Sequence, residues 1–236
     1  MLDIGSDVSP SRQTTHQFVL ERLRRAILRG SLPGGSRLVQ AEIATQLGVS
    51  TTPVREALRD LAAEGLIQLD AHRGAVVREL RAVEVQEIYD LRLLLEPEAM
   101  RRAAARVDQA TLDRAEKLQS QMEEEPDTGA WADLNREFHG VFVRAVGSSR
   151  MASVLLNLQD SAAPYVAVTL VSERDKIAAA NREHRQLLES MRAGDGESAA
   201  QITVDHLQAT IQALGGPAMS DAGLATQREQ RVRKRP

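Results

Sequence analysis

The sequence contains no cysteine, so disulfides and thiolate metal sites are excluded, and any metal must sit on His, Asp, Glu or Asn. No apolar run approaches the roughly 18 residues of a membrane span. The N-terminus MLDIGSDVSPSRQ also lacks the basic-then-apolar layout of a secretory signal. A folded, cytoplasmic protein with no membrane partner is expected. Lysine is scarce, since 27 of the 30 basic residues are Arg, a bias that genome composition explains as readily as guanidinium chemistry. The net charge of −3 is small only because it averages regions of opposite sign. Residues 1 to 81 hold 11 bases against 9 acids, residues 82 to 216 hold 14 against 22, and the last 20 hold 5 against 2. A basic front joined to an acidic bulk is compatible with a nucleic-acid-binding module attached to something else.

A chain of 236 residues with 42% hydrophobic content can build one large core or two modest ones. Its pattern is mainly α. His16 to Arg29 carries Phe18, Val19, Leu23, Ala26 and Ile27 at helical spacing, and the glycines and proline of GSLPGGSRL stop it. A second helix runs from about Val39 to Leu47 and breaks at Gly48. A third begins in VSTTPVREALRDLAAEGL, where Ser50 to Thr52 offer cap oxygens and Pro53 is tolerated in the first turn. LIQL and AVVREL then read as short strands, with turn chemistry between them in DAHRG. Three helices and a hairpin in this order predict a winged helix-turn-helix over residues 13 to 79, after an unstructured segment 1 to 12.

The third helix divides cleanly. Val54, Ala57, Leu58 and Leu61 share one stripe, which leaves Thr51, Thr52, Arg55 and Arg59 together on the other side. Exposed Thr and Arg usually signify nothing beyond solubility. In this motif, however, that side enters a DNA major groove about 12 Å wide. Hydroxyls and the helix N-terminus hold phosphates there, while arginine reaches phosphates or guanine edges. Residues 38 to 77 resemble the DNA-binding domain of the GntR family of bacterial transcription regulators, whose hallmark VSxTPVREALxxLxxEGL is present almost unbroken. The resemblance implies DNA contacts from Ser50, Thr51, Thr52, Arg55 and Arg59, and from His72, Arg73 and Gly74 at the wing tip. Two departures bear on the operator sequence: Thr51 stands where many relatives have Arg, and Ala41 where one branch uses an Arg on DNA.

From residue 80 to 214 the pattern is an all-α bundle of about six amphipathic helices, followed by a flexible basic tail, 215 to 236. The first carries Val85, Ile88, Leu91, Leu95 and Ala99 on one stripe. Only five histidines occur, and His139, His184 and His206 fall one each on three of these helices. His184 aligns with Ile177, Ala180, Leu188 and Met191; His139 borders the Leu134, Phe138 and Phe142 stripe; His206 follows Ile202 by one turn. An isolated histidine on an apolar face is ordinarily a hydrogen-bonded core residue. Three inward imidazoles that converge would instead favour neutral rings around a divalent cation.

This half resembles the helical effector domain of the FadR branch of the same family, through YDLRLLLEPEAMRRAA and NREFHGVF. The resemblance implies a metal site at Asn135, His139, His184 and His206, with zinc first and nickel or manganese as alternatives. Asn135 replaces the more frequent Asp and brings no charge, which weakens cation binding and leaves room for an anion. A small carboxylic or sugar-acid effector is therefore expected, gripped by Arg92 with Tyr89 nearby. The plainer reading of Arg92 is a helix-surface ion pair with Glu96 or Glu87. The resulting expectation is a ligand-responsive repressor, homodimeric on a palindromic operator. A metal-dependent hydrolase would use the same three-His chemistry, but no carboxylate stands at His-Glu-x-x-His spacing to serve as base. A third reading makes the helical domain a dimerisation and ligand module without metal.

Overall fold

Thr14 opens the first helix by accepting a hydrogen bond from the Gln17 amide, while the Gln17 side chain accepts from the Thr14 amide in return. This capping box satisfies two donors that a helix start leaves free. The computed structural model describes residues 14–70, 74–147, 149–170 and 174–214. The expected N-terminal and C-terminal flexible segments lie outside these residues. The chain divides into two units, Met1–Leu80 and Arg81–Pro236.

In the first unit, α1 (Thr15–Leu28), α2 (Gln40–Leu47) and α3 (Thr51–Ala63) pack around Val19, Leu23, Ile43, Val54, Leu58 and Leu61, each no more than 1% exposed. Arg24 of α1 pairs with Glu64 at the end of α3, its Nε donating at 3.0 Å. Gly48 joins α2 to α3 at φ 65°, a left-handed conformation that a side chain would strain. The predicted hairpin is present as β2 (Ile67–Asp70) and β3 (Gly74–Val77), paired antiparallel with Asp70 opposite Gly74. A two-residue strand, β1 (Arg37–Leu38), adds to the far side of β3 and makes the sheet order β1-β3-β2.

One local expectation fails. Ser50 occupies the N-cap position of α3, yet its side chain makes no capping hydrogen bond. The reason lies in Pro53, the third helical residue, which has no N–H to donate at a place where caps ordinarily find one.

The second unit is formed by α4 (Ala82–Ala104), α5 (Gln109–Glu124), α6 (Thr128–Ala145), α7 (Arg150–Leu170), α8 (Arg174–Ala193) and α9 (Gly196–Ala213). Asp108, Asp127 and Asp195 each cap the helix that follows, accepting from a backbone amide three residues on. Trp131, Phe138, Phe142, Met122, Leu155 and Met191 form its core. The inner side of α4 keeps Val85 and Ala99 of the expected stripe, with Leu95 partly buried against the core, but not Leu91. Val85, Tyr89, Arg92, Glu96, Ala99 and Ala103 are buried, whereas Leu91 and Leu94 are 46% and 74% exposed. A buried ion pair lets α4 turn a polar strip inward, which rotates Leu91 and Leu94 toward water.

Candidate functional site

Three helices deliver one imidazole each to a single point. His139 comes from α6, His184 from α8 and His206 from α9, and every pair of ring centroids is 5.0 Å apart. One ligand nitrogen from each lies within 4.8 Å of the others. His139 is 6% and His184 1% exposed, and Phe138 packs against both rings. Asn135, one turn before His139, joins His206 in lining a cavity of about 370 Å³.

Hydrogen bonds behind the rings decide which nitrogens face inward. The Gln119 amide donates through Nε2 to Glu123 and to the Asn181 carbonyl, which turns its Oε1 toward His184 Nδ1 at 3.1 Å. A carbonyl oxygen only accepts, so Nδ1 carries the proton and Nε2 is left with its lone pair. His206 Nδ1 meets Glu183 Oε2 at 2.6 Å in the same manner. His139 Nε2, His184 Nε2 and Asn135 Oδ1 are all buried without a hydrogen-bond partner. Buried orphan acceptors are costly unless something electron-poor meets them. Two imidazole nitrogens and an amide oxygen form a donor set that fits a divalent cation, with His206 completing it. Sequence reading missed Gln119 and Glu183; the only local sign was an acid directly before His184.

Burial is the main reason that the His139 and His184 pKa values lie well below the ordinary imidazole value. His206 adds to the effect at both rings, and His184 and Arg92 add to it at His139. The rings are therefore neutral and ready to ligate at neutral pH. Linkage fixes the sign of the pH effect. In the unfolded chain both histidines take up protons near pH ~6.5, while in the folded chain they do not. Stability is complete above that pH and falls as pH drops toward the folded values, by up to about 1.4 kcal/mol per pH unit for each ring. Metal-free protein should thus show a falling Tm between pH 6.5 and 5, measured by calorimetry. A Tm flat across that range would contradict the neutral, buried assignment.

Arg92 forms the ion pair with Glu96 that the plainer reading named, but it is not on the surface. The two residues are 7% and 1% exposed, with Nε to Oε1 at 2.9 Å and Nη2 to Oε2 at 3.4 Å. Gln159 of α7 donates to the same carboxylate at 2.9 Å. Burial works against the Arg92 charge, yet Glu96 and Tyr89 together outweigh it and the guanidinium remains protonated. Arg92 also lies over the fully buried Tyr89 ring at 4.9 Å.

In the first unit, Ser50, Thr51, Thr52, Arg55 and Arg59 are all exposed, on the side of α3 opposite Val54, Ala57, Leu58 and Leu61. Neither arginine forms an ion pair among the described residues. The missing Ser50 cap leaves the amides at the start of α3 open to an anion. Gly74 is exposed at φ 75°, at the end of the hairpin turn. His72 and Arg73 lie outside the described residues.

Comparison with known proteins agrees with this division. Residues 15–77 match the description "Bacterial regulatory proteins, gntR family", and residues 87–209 match the FCD domain. A probable D-xylose utilization operon transcriptional repressor from Paenarthrobacter nicotinovorans is 31% identical over 86% of this chain and 90% of its own. A gluconate operon transcriptional repressor from Bacillus licheniformis is 30% identical over 76% and 74%. Among solved structures, a GntR family regulator from Pseudomonas syringae pv. tomato is 31% identical, with TM-score 0.51 over 95% of this chain and 91% of its own. The E. coli protein McbR/YncC, 23% identical, shares the fold with TM-score 0.74 over 86% and 98%. No helix among the described residues is long and apolar enough to cross a membrane. The chain belongs to the GntR family of bacterial regulatory proteins, with an FCD domain behind its winged helix-turn-helix, and is a DNA-binding transcription regulator rather than an enzyme.

Proposed function

We propose that the protein is a homodimeric repressor released from a palindromic operator when a small carboxylate binds beside a metal held by His139, His184 and His206. The observation that carries this reading is the set of buried, partnerless polar atoms His139 Nε2, His184 Nε2 and Asn135 Oδ1. A divalent ion there, zinc in the first instance, supplies a fixed positive charge to which a carboxylate oxygen coordinates. The neutral imidazoles and Asn135 bring no charge, and the one carboxylate behind them, Glu183 at His206 Nδ1, offsets only half of a divalent charge, so the site still attracts an anion. The Nε edge of Arg92 is taken by Glu96, and the outer edge of its guanidinium is the part assigned to the carboxylate.

Two readers on symmetry-related half-sites supply the DNA surface that one winged helix lacks. A carboxylate that binds the off-DNA arrangement more tightly shifts the population away from the operator. Selection from a random duplex library, followed by anisotropy titration with and without carboxylates, tests this directly. Enrichment of an inverted repeat and loss of binding with one class of acid are expected. Retention of the operator in the presence of every acid would count against release by ligand.

Asn135 gives a second test. Asn135→Asp restores a charged oxygen in the donor set and should tighten metal binding by about tenfold or more, read by competition with a chromogenic chelator. An unchanged affinity would remove Asn135 from the ligand set.

A further inference from the structure

The cavity beside the imidazoles has a consistent chemistry along its length. Its floor is set by α8 and α9, which the short link from Ala193 to Gly196 makes antiparallel and which Glu183 and His206 pin side by side at 2.6 Å. From His206 to Ala213 is seven residues, about 10 Å of helix. Asn135, Glu183 and His206 stand at one end, and Lys176 and Gln212 at the other. Between them the wall is Trp131, Val166, Ala179, Ala180, Ala209 and Ala213.

Among the described residues, the donors beside this middle stretch are already engaged. Trp131 Nε1 donates to Asn181 Oδ1 at 3.2 Å, which leaves the indole only its apolar surface to offer. Thr210 Oγ1 donates to the His206 carbonyl at 3.0 Å. Four alanines facing one another across two helices hold open a space that larger side chains would close. At about 370 Å³ the space is at the small end of ligand cavities.

We propose that the effector is a carboxylate with an apolar body, aromatic or hydrocarbon, whose acid end lies at Asn135 and His206 and whose body lies against Trp131 and the alanines. This rests on the reading that a carboxylate is anchored at the imidazole cluster, and it sets a sugar acid aside. The hydroxyls of a polyol would be carried past Trp131, Val166 and Ala180, where the described residues offer few partners beyond the Thr210 oxygen, which weakens binding. Among the described residues, a polar substituent is best accommodated at the rim, where Ala209 and Gln212 are exposed and Lys176 is close.

The test uses the full chain loaded with zinc and titrated by calorimetry with acetate, 3-phenylpropanoate and gluconate. The phenyl acid is expected to bind at least tenfold more tightly than either of the others. Ala180→Leu, and separately Ala213→Leu from the opposite helix, should each weaken the phenyl acid by at least tenfold while zinc content and acetate binding stay unchanged. Gluconate binding as tightly as the phenyl acid, or both variants binding it normally, would overturn the apolar body and leave the carboxylate anchor standing. Failure of all three acids on zinc-loaded protein would overturn the anchor as well.

Discussion

Operator binding is expected to collapse when Arg55 and Arg59 are both replaced by alanine. Both side chains are exposed on α3, opposite a core stripe that includes Val54 and Leu61 at 0%, so the substitutions remove no packing. An arginine that reads a guanine edge contributes about 1–3 kcal/mol, roughly 5–150-fold in affinity. In a dimer each substitution acts twice. An arginine on phosphate has another signature, because its loss weakens all sequences evenly and lowers the salt slope by about one per contact. Anisotropy titrations at several salt concentrations, on the selected operator and on random duplex, separate the two roles. Wild-type affinity and salt slope in the double variant would show that α3 does not face DNA.

Loss of bound metal is the second large effect. His184→Ala removes a ring that is 1% exposed and oriented by Gln119. Changes to orienting partners alone cost such sites about 10–100-fold in affinity, and loss of a ligand should exceed that. Protein prepared without chelator should carry stoichiometric divalent metal by mass spectrometry, and the variant negligible amounts. Free metal at 100 times its Kd adds about 2.7 kcal/mol to stability, which raises Tm by about 5–10 °C for a domain of this size. The informative quantity is this metal-dependent increment, since His184→Ala also leaves a cavity that lowers Tm by itself. Equal and negligible metal in both proteins, with no Tm response to added zinc, would make the helical unit a metal-free ligand module.

How far the sequence could be read depends on whether a feature is local. The two-sided character of α3 was legible because Val54, Ala57, Leu58 and Leu61 repeat at helical spacing within one segment. The inward direction of His139 and His184 was legible for the same reason. Their meeting was not, because it depends on how α6, α8 and α9 pack, and only family resemblance suggested it. Gln119 and Glu183 escaped notice since each acts on a ring carried by another helix. β1 has two residues, too few for any alternation to register. The stripe of α4 was right at Val85 and Ala99 and wrong at Leu91 for a physical reason: spacing rules assign leucine to the core, and here Arg92 and Glu96 satisfy each other there instead. Ser50 was assigned a cap because its residue type favours one, and the proline three positions later removed the partner.

The rotated face of α4 has a practical consequence. Leu94 and Glu96 are two residues apart, about 200° around the same helix, so one is wet while the other touches the buried guanidinium. A helix turns as a unit, and a fluorophore attached at position 94 would therefore register any rolling of residue 96 without entering the chamber. Because the chain has no native thiol, a single Leu94→Cys substitution gives a uniquely addressable reporter of what happens on the inner side.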